Sequence, residues 1–177
     1  MSALLLLVSG SKLRCTARYS SSMRSLLSFF LLACVEVSAQ IVVHVNDNKP
    51  VTLTPVDLAP LPRHSAVLKD HGKQATYEGA LLHDVLVKAG VDFGTGLHGK
   101  QLSSYAAALG TDGYEAVFPL AELDPTVVDS NIIVADKRDG QPLGGSEGGM
   151  RIVAPNDKRP TRSVRMLHEI DVVQLRK

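Results

Sequence analysis

Short apolar runs separated by polar turns fill residues 41–175 and indicate a domain built mainly of β-strands. The first run, residues 41–45, is rich in β-branched side chains and predicts a strand. Residues 51–53 return as a second strand after a polar turn that contains Pro50. Further strands are predicted at residues 65–68, 74–77, 101–109, 114–118, 131–135, 151–154 and 163–175. Glycine-rich loops are expected at residues 91–100 and 136–149.

The clearest helix is predicted to begin at Gly79 and to end at Gly90, because glycine is a common C-terminal stop. Its apolar residues recur at helical spacing and form one stripe, which consists of Leu81, Leu82, Val85, Leu86 and Ala89. Two shorter helical segments are expected near residues 54–57, where Thr54 is a suitable N-cap, and at residues 119–124. The fold class predicted is α+β: a single β-rich domain of short mixed strands with one main helix, over residues 40–177.

Residues 1–39 are predicted to be a signal peptide. The charged start at Met23-Arg24 precedes a short apolar run, and Val37-Ser38-Ala39 supplies the small residues of a cleavage site. Met23 is an alternative start, and the mature chain would begin at Gln40. These features predict a periplasmic or secreted protein. A second interpretation treats Cys34 as a lipidated N-terminus, because Leu31-Leu32-Ala33-Cys34 is similar to a bacterial lipobox.

Composition then excludes several classes of function. From residue 40 onward the chain has fifteen Lys/Arg and seventeen Asp/Glu, a net charge of −2, and no tryptophan. This balance argues against nucleic acid as a partner. The apolar run of the leader is too short to span a bilayer comfortably, and no transmembrane span is expected in the mature chain either. Cys15 and Cys34 both precede residue 40, so the mature domain lacks a disulfide, a thiolate metal ligand and a cysteine nucleophile.

Charge is distributed unevenly along the mature chain. Residues 151–177 contain seven Lys/Arg and three Asp/Glu, a net of +4, whereas residues 40–150 contain eight and fourteen, a net of −6. We interpret the basic segment as one wall of a pocket for a small anionic group. The alternative is a solvated hairpin with ordinary surface charge, to which isolated ion pairs contribute little.

Several phrases, taken in order, resemble the oxidoreductase molybdopterin-binding domain, the fold of sulfite oxidase and related molybdenum enzymes. They lie within residues 77–91, 112–123, 133–143, 149–155 and 162–165, and include Tyr77-Glu78-Gly79-Ala80-Leu81-Leu82, Asp112-Gly113-Tyr114, Phe118-Pro119-Leu120, Asp139-Gly140-Gln141-Pro142-Leu143 and Gly149-Met150-Arg151. Each phrase is unspecific alone, and their order over residues 77–173 makes the match specific. Residues 41–76 match more loosely.

The resemblance implies a bound pyranopterin whose phosphate is held by basic residues and backbone amides. By this resemblance, the cofactor-binding candidates are Arg151, Arg162 and Arg165, whose guanidinium groups suit phosphate oxygens. Tyr114 is a further candidate as a hydroxyl donor, with a structural role in the core as the alternative. The partners implied are a small anionic ligand or a redox partner protein.

The chain departs from the family where the metal would be bound. Catalytic members coordinate molybdenum through a cysteine before the Tyr-x-Gly phrase, whereas this chain has His64 to Lys73 there, without cysteine. Oxygen or nitrogen ligands do not reproduce a soft thiolate. The resemblance therefore implies a molybdenum–molybdopterin cofactor. Because the cysteine ligand is missing, a chain that binds no cofactor is an equal alternative. No catalytic residue and no metal ligand is assigned, and enzymatic activity rests on the resemblance alone.

Two further signals have unremarkable explanations. Gly144-Gly145-Ser146-Glu147-Gly148 satisfies G-x-S-x-G, but a nucleophile elbow requires a preceding strand and a following helix, so we interpret the segment as a glycine-rich loop that provides, at most, backbone amides for an anion. The histidines, of which His64 and His71 flank one turn, lack close metal-ligand spacing.

Three functional hypotheses follow. The first is a non-catalytic or cofactor-poor relative that binds a small anion or a partner; the second is a molybdopterin-dependent oxidoreductase without a cysteine ligand; the third is a periplasmic metal-binding protein that uses histidines. The first two predict that alanine at Arg151 or Arg165 weakens ligand binding without unfolding the domain.

Overall fold

The computed structural model describes residues 39–70, 72–94 and 97–175. The predicted signal peptide except for Ala39, both cysteines and His71 lie outside these residues. Residues 38–177 group into one compact unit. Among the described residues, no helix is both long and apolar enough to cross a membrane.

The first of two sheets has the C-terminal strand at its centre. Its strand order is β2-β1-β10-β5-β6, where β1 is Ile41–Val45, β2 is Val51–Leu53, β5 is Ser104–Gly110, β6 is Glu115–Pro119 and β10 is Leu167–Gln174. Strands β1 and β10 are parallel, and the other neighbours are antiparallel. Along β1, side chains alternate between buried and partly exposed, as the period of two along a strand requires.

The second sheet is antiparallel throughout the described residues and is organised around β7. Strand β4 pairs with one edge of β7, and β8 and β9 pair with different parts of the other edge. The strands are β3, Arg63–Asp70; β4, Lys73–Leu81; β7, Ile133–Arg138; β8, Gln141–Pro142; and β9, Arg151–Val153.

Short helices connect the strands: α1, Pro55–Leu58; α2, Leu82–Lys88; α3, Leu120–Leu123; and 3-10 turns at Gly99–Ser103, Gly145–Glu147 and Pro160–Arg162. The Thr54 hydroxyl accepts a hydrogen bond from the amide of Asp57, whose carboxylate accepts one from the amide of Thr54. This reciprocal pair is a capping box, and it explains why so short a helix begins where the sequence predicts.

Several boundaries differ from the sequence prediction: strands β3 and β4 are longer than expected, and β5 and β10 begin later, at Ser104 and Leu167. Helix α2 begins at Leu82, because residues 79–81 continue β4 and pair with β7. The expected loop at residues 136–149 is partly a hairpin, since β7 extends to Arg138 and β8 returns after two residues. Asp139 and Gly140 have φ values of 49° and 78°, the left-handed conformations that a two-residue hairpin turn favours.

Hydrophobic residues form two clusters. The main core joins both sheets and α2, and includes Ile41, Leu86, Phe118, Val134 and Ile170. A smaller cluster lies on the opposite face of the second sheet and consists of Ala66, Leu68, Ala75, Tyr77, Ile133, Ala135 and Val153. The second sheet therefore has apolar side chains on both faces.

Substitution of Gly79 by alanine is expected to lower the free energy of unfolding by about 2 kcal/mol, because overpacking typically costs this much. A Cβ atom there would lie 2.0 Å from the carbonyl oxygen of Val134, at a point where the β4–β7 register shifts. Urea denaturation measures the change. Gly144→Ala is the control, since a Cβ atom at Gly144 meets nothing within 4 Å. Equal stability of both variants would contradict the prediction.

Candidate functional site

A cavity whose lining contains six charged side chains lies on the outer face of the second sheet. This cavity, called the outer cavity, has a volume of about 420 Å³, within the usual range for small-molecule sites. The sheet, the turn between β5 and β6, and residues 160–165 surround it. Its lining consists of Leu68, Lys73, Gln74, Ala75, Tyr77, Asp112, Tyr114, Arg138, Glu147, Arg151, Pro160, Ser163 and Arg165.

Arg151 is the buried cation of this site. The residue is 5% exposed, because it belongs to β9 and faces the same side as Val153. Its guanidinium donates to the Tyr77 hydroxyl at 3.1 Å, to the carbonyl oxygen of Ser163 at 3.5 Å, and to the carboxylate of Glu147. Its Nε is buried and has no hydrogen-bond partner among the described residues. A buried donor without a hydrogen-bond acceptor lowers the stability of the folded state by about 1–3 kcal/mol.

Glu147 connects the two guanidinium groups. Its carboxylate accepts a hydrogen bond from Arg138 at 2.8 Å and another from Arg151. Its side chain is 17% exposed, so the pairing is partly shielded from water. One carboxylate therefore faces two cations, and a positive charge remains on this group of three residues.

The Tyr77 ring organises the same cluster. The guanidinium carbon of Arg151 lies 4.8 Å from the ring centre, and that of Arg138 lies 5.7 Å away, distances at which cations are attracted to aromatic faces. Burial raises the pKa of the Tyr77 hydroxyl, with Arg151 opposing the shift and Glu147 adding to it. The hydroxyl therefore keeps its proton at neutral pH and donates it to the Glu147 carboxylate, with oxygen–oxygen distances of 3.4 and 3.5 Å.

The lining as a whole favours an anion. Lys73, Arg138, Arg151 and Arg165 supply four positive charges, and Asp112 and Glu147 supply two negative ones, so the net charge is +2. Cations on the wall of a concave site raise the local concentration of anions and hold oxyanions through charge-assisted hydrogen bonds.

Three of the four residues predicted from the sequence line the outer cavity. Arg151 lies at its base, and Arg165 is exposed on its wall, without an ion-pair partner among the residues the structure describes. Tyr114 also lines it and is 46% exposed, and its hydroxyl donates to the carbonyl oxygen of Thr161. That bond occupies the hydroxyl proton and ties the β5–β6 turn to residues 160–165.

Arg162 lies elsewhere. Its guanidinium donates to Asp157 at 2.6 and 2.9 Å and to Glu122 at 2.8 and 2.9 Å. These hydrogen bonds, to Asp157 and then to Glu122, raise the pKa of Arg162 well above its usual value. The guanidinium also lies over the ring of Phe118. Arg162 therefore joins three parts of the chain, and the structure does not bring it into the outer cavity.

Sequence reasoning did not single out Tyr77, Arg138, Glu147 or Lys73. The sequence could have identified two of them as site candidates. Tyr77 begins the Tyr-Glu-Gly phrase, and Glu147 lies in the glycine-rich loop. Arg138 had no such signal, because its place depends on strand register: Tyr77 pairs with Arg138, whereas Gly79 pairs with Ala135. Because of this register shift, Ala135 and Arg138 both lie on the outer face of the second sheet, where Arg138 lines the outer cavity.

The donor set fits one end of a molybdopterin cofactor and not the other. Arginine, lysine and tyrosine side chains suit the phosphate of such a group. No cysteine occurs among the described residues, and the lining of the outer cavity contains neither cysteine nor histidine. A molybdenum centre would therefore lack the soft protein thiolate ligand in this part of the chain.

The G-x-S-x-G segment does not form a nucleophile elbow. Ser146 is exposed within the 3-10 turn Gly145–Glu147, and strand β9 follows instead of a helix. The residue of this segment that faces the outer cavity is Glu147. The interpretation as a glycine-rich loop is consistent with this geometry.

Comparison with known proteins gives a match in structure and none in sequence. The chain is similar to the crystal structure of the sulfane dehydrogenase SoxCD from Paracoccus pantotrophus, with a TM-score of 0.59 and 17% identity. The match covers 76% of this chain and 38% of that one, so this chain spans well under half of that protein's chain. No family model and no curated protein matches. At this identity the likeness concerns the fold alone, and it confirms the predicted class, an α+β domain of the sulfite oxidase type.

Proposed function

We propose that this chain is an exported, non-catalytic relative of the sulfite oxidase-type domains that binds a small oxyanion in the outer cavity. The observation that supports the proposal best is the charge imbalance of the lining, four cations against two carboxylates. Arg165 lacks an ion-pair partner in the described part of the chain, and Arg151 retains an unpaired buried Nε. The exposed guanidinium of Arg165 offers donors to which an oxyanion would supply acceptors, and Arg151 adds a buried positive charge to the same lining.

The outer cavity favours a small ligand over a large one, because it is closed at one end and bounded on one side by residues 160–165. Tyr77 and Arg151 form its buried end, and residues 160–165 are held near the β5–β6 turn by the bond between Tyr114 and Thr161. Tetrahedral oxyanions such as sulfate and phosphate present several acceptors within a small volume, which matches convergent guanidinium groups.

Substitution of Arg165 by glutamine is expected to weaken sulfate and phosphate binding about tenfold, because a charge-assisted hydrogen bond is worth about 1.5–3 kcal/mol. Stability without ligand should be unchanged, since Arg165 is exposed. Isothermal titration calorimetry at low ionic strength measures the affinity, since salt screens such contacts. Arg159→Gln is the matched control, because Arg159 is an exposed cation of the same basic segment and does not line the outer cavity. Equal affinity in both variants would contradict the proposed site.

A molybdopterin-dependent oxidoreductase is the second candidate, and its support is the likeness in fold to a sulfane dehydrogenase. Molybdenum and pterin content, measured on protein produced in a host that makes the cofactor, separates the two functions. We expect neither in near-stoichiometric amount. Stoichiometric molybdenum and pterin would favour the oxidoreductase, and pterin without metal would identify the pterin phosphate as the anion.

A further inference from the structure

A second cluster of ligating side chains lies on the outer face of the first sheet. His44 on β1 is paired directly with Asp171 on β10, and Glu169 is two residues before Asp171 on the same face. One ligating atom from each of the three lies within 4.8 Å of the other two. His44 Nε2 is 3.1 Å from Glu169 Oε1. All three residues are partly exposed, so an ion has access from solvent.

The backbone holds these side chains on a rigid surface. Strands β1 and β10 are interior strands of the five-stranded sheet, and their alternate residues Val43, Ile170 and Val172 are buried in the main core. Ligands carried by packed strands keep their spacing better than ligands carried by loops.

The charge of this cluster is unbalanced. Glu169 and Asp171 contribute two negative charges, and no ion pair with lysine or arginine is found for either of them among the described residues. The residue paired with Asp171 on β5 is Ala107, and Thr52 on β2 lies opposite Val42. The neighbouring strands therefore provide no cation there. Two carboxylates and an imidazole without a neighbouring cation suit a divalent ion.

His168 lies at the edge of this cluster. Its Nδ1 is 3.0 Å from the carbonyl oxygen of Leu109. A carbonyl oxygen only accepts, so Nδ1 donates to it. The other ring nitrogen, Nε2, lies 3.6 Å from Glu169 Oε2. The backbone carbonyl therefore orients the ring beside Glu169.

We propose that the outer face of the first sheet binds one divalent transition-metal ion, of the zinc class, through His44, Glu169 and Asp171, with His168 at its edge. Zinc ligands lie about 2.0–2.2 Å from the ion, so tetrahedral ligand atoms are about 3.4 Å apart. The His44–Glu169 separation already approaches this value, and small side-chain rotations bring in Asp171. Three protein ligands leave the fourth position to water. The site is distinct from the outer cavity, which lies on the other sheet.

The test is a Zn²⁺ titration of the full chain after removal of metal, with a chromophoric chelator as competitor. We expect one equivalent to bind, and at least about 100-fold weaker binding in both His44→Gln and Asp171→Asn, because loss even of an outer-shell partner costs 10–100-fold. Both substitutions keep side-chain size, and far-ultraviolet circular dichroism establishes that the variants fold.

His64→Gln is the matched control, because His64 is a partly exposed histidine on β3 of the second sheet. It should bind Zn²⁺ as the unaltered chain does. Absence of tight Zn²⁺ binding overturns the proposal. So does equal binding by the unaltered chain, His44→Gln and Asp171→Asn, since the ion would then belong to other residues. Loss of binding in His64→Gln alone would assign the metal to the second sheet and overturn the proposal as well.

Discussion

Replacement of Arg151 by alanine is expected to weaken oxyanion binding about 100-fold and to lower the free energy of unfolding by about 3 kcal/mol. Both effects have the same source, because the guanidinium is the buried cation of the outer cavity and is packed on the Tyr77 ring. Its loss removes ligand donors, leaves Arg138 as the only arginine paired with Glu147, and opens a space over the Tyr77 ring. Calorimetric titration with sulfate and urea denaturation measure the two changes.

Two variants make this result interpretable. Arg151→Lys keeps the charge but loses the planar fork, so it should retain more stability than alanine while still binding sulfate more weakly. Arg159→Ala removes an exposed cation of the same segment and should change neither quantity. The sequence alone predicted weaker binding without unfolding, and the burial of Arg151 adds the loss of stability. Unchanged sulfate affinity in a folded Arg151→Ala protein would exclude the outer cavity as the binding site.

Replacement of Glu147 by glutamine is expected to raise sulfate affinity about tenfold while lowering stability in the absence of anions by about 3 kcal/mol. Glu147 is the carboxylate that already occupies the guanidinium groups of Arg138 and Arg151, so it competes with an incoming anion. Glutamine keeps the shape and removes the charge, and the net charge of the lining rises from +2 to +3. A buried arginine then lacks its counter-ion until an anion binds.

The measurement is the melting temperature as a function of sulfate concentration. Ligand that binds only the folded state stabilises it by mass action, so the variant should melt lower than the unaltered chain without sulfate and respond more steeply to it. Glu115→Gln removes an exposed carboxylate on β6 and serves as the control. A flatter response in Glu147→Gln would mean that Glu147 positions the arginines for the anion instead of competing with it.

Local features of the sequence determined much of the architecture. The β-branched run of β1, the cap of α1 at Thr54, the short helix α3 and the strand β9 all lie where the residue pattern predicts. The fold class and the basic character of residues 151–165 could also be predicted from the sequence. Each depends on a residue and its near neighbours, whose spacing and conformational preference the sequence states directly.

Tertiary structure alone decided which charges meet. Helix α2 begins at Leu82 and not at Gly79 as predicted, because residues 79–81 still pair with β7 as part of β4. Arg162, grouped with Arg151 by sequence, is instead held by Glu122 and Asp157. His44 reaches Asp171 only because β1 and β10, from opposite ends of the described chain, run parallel side by side. Such contacts follow from strand register and from competition among partners distant in sequence, since a shift of one residue turns a side chain to the other face.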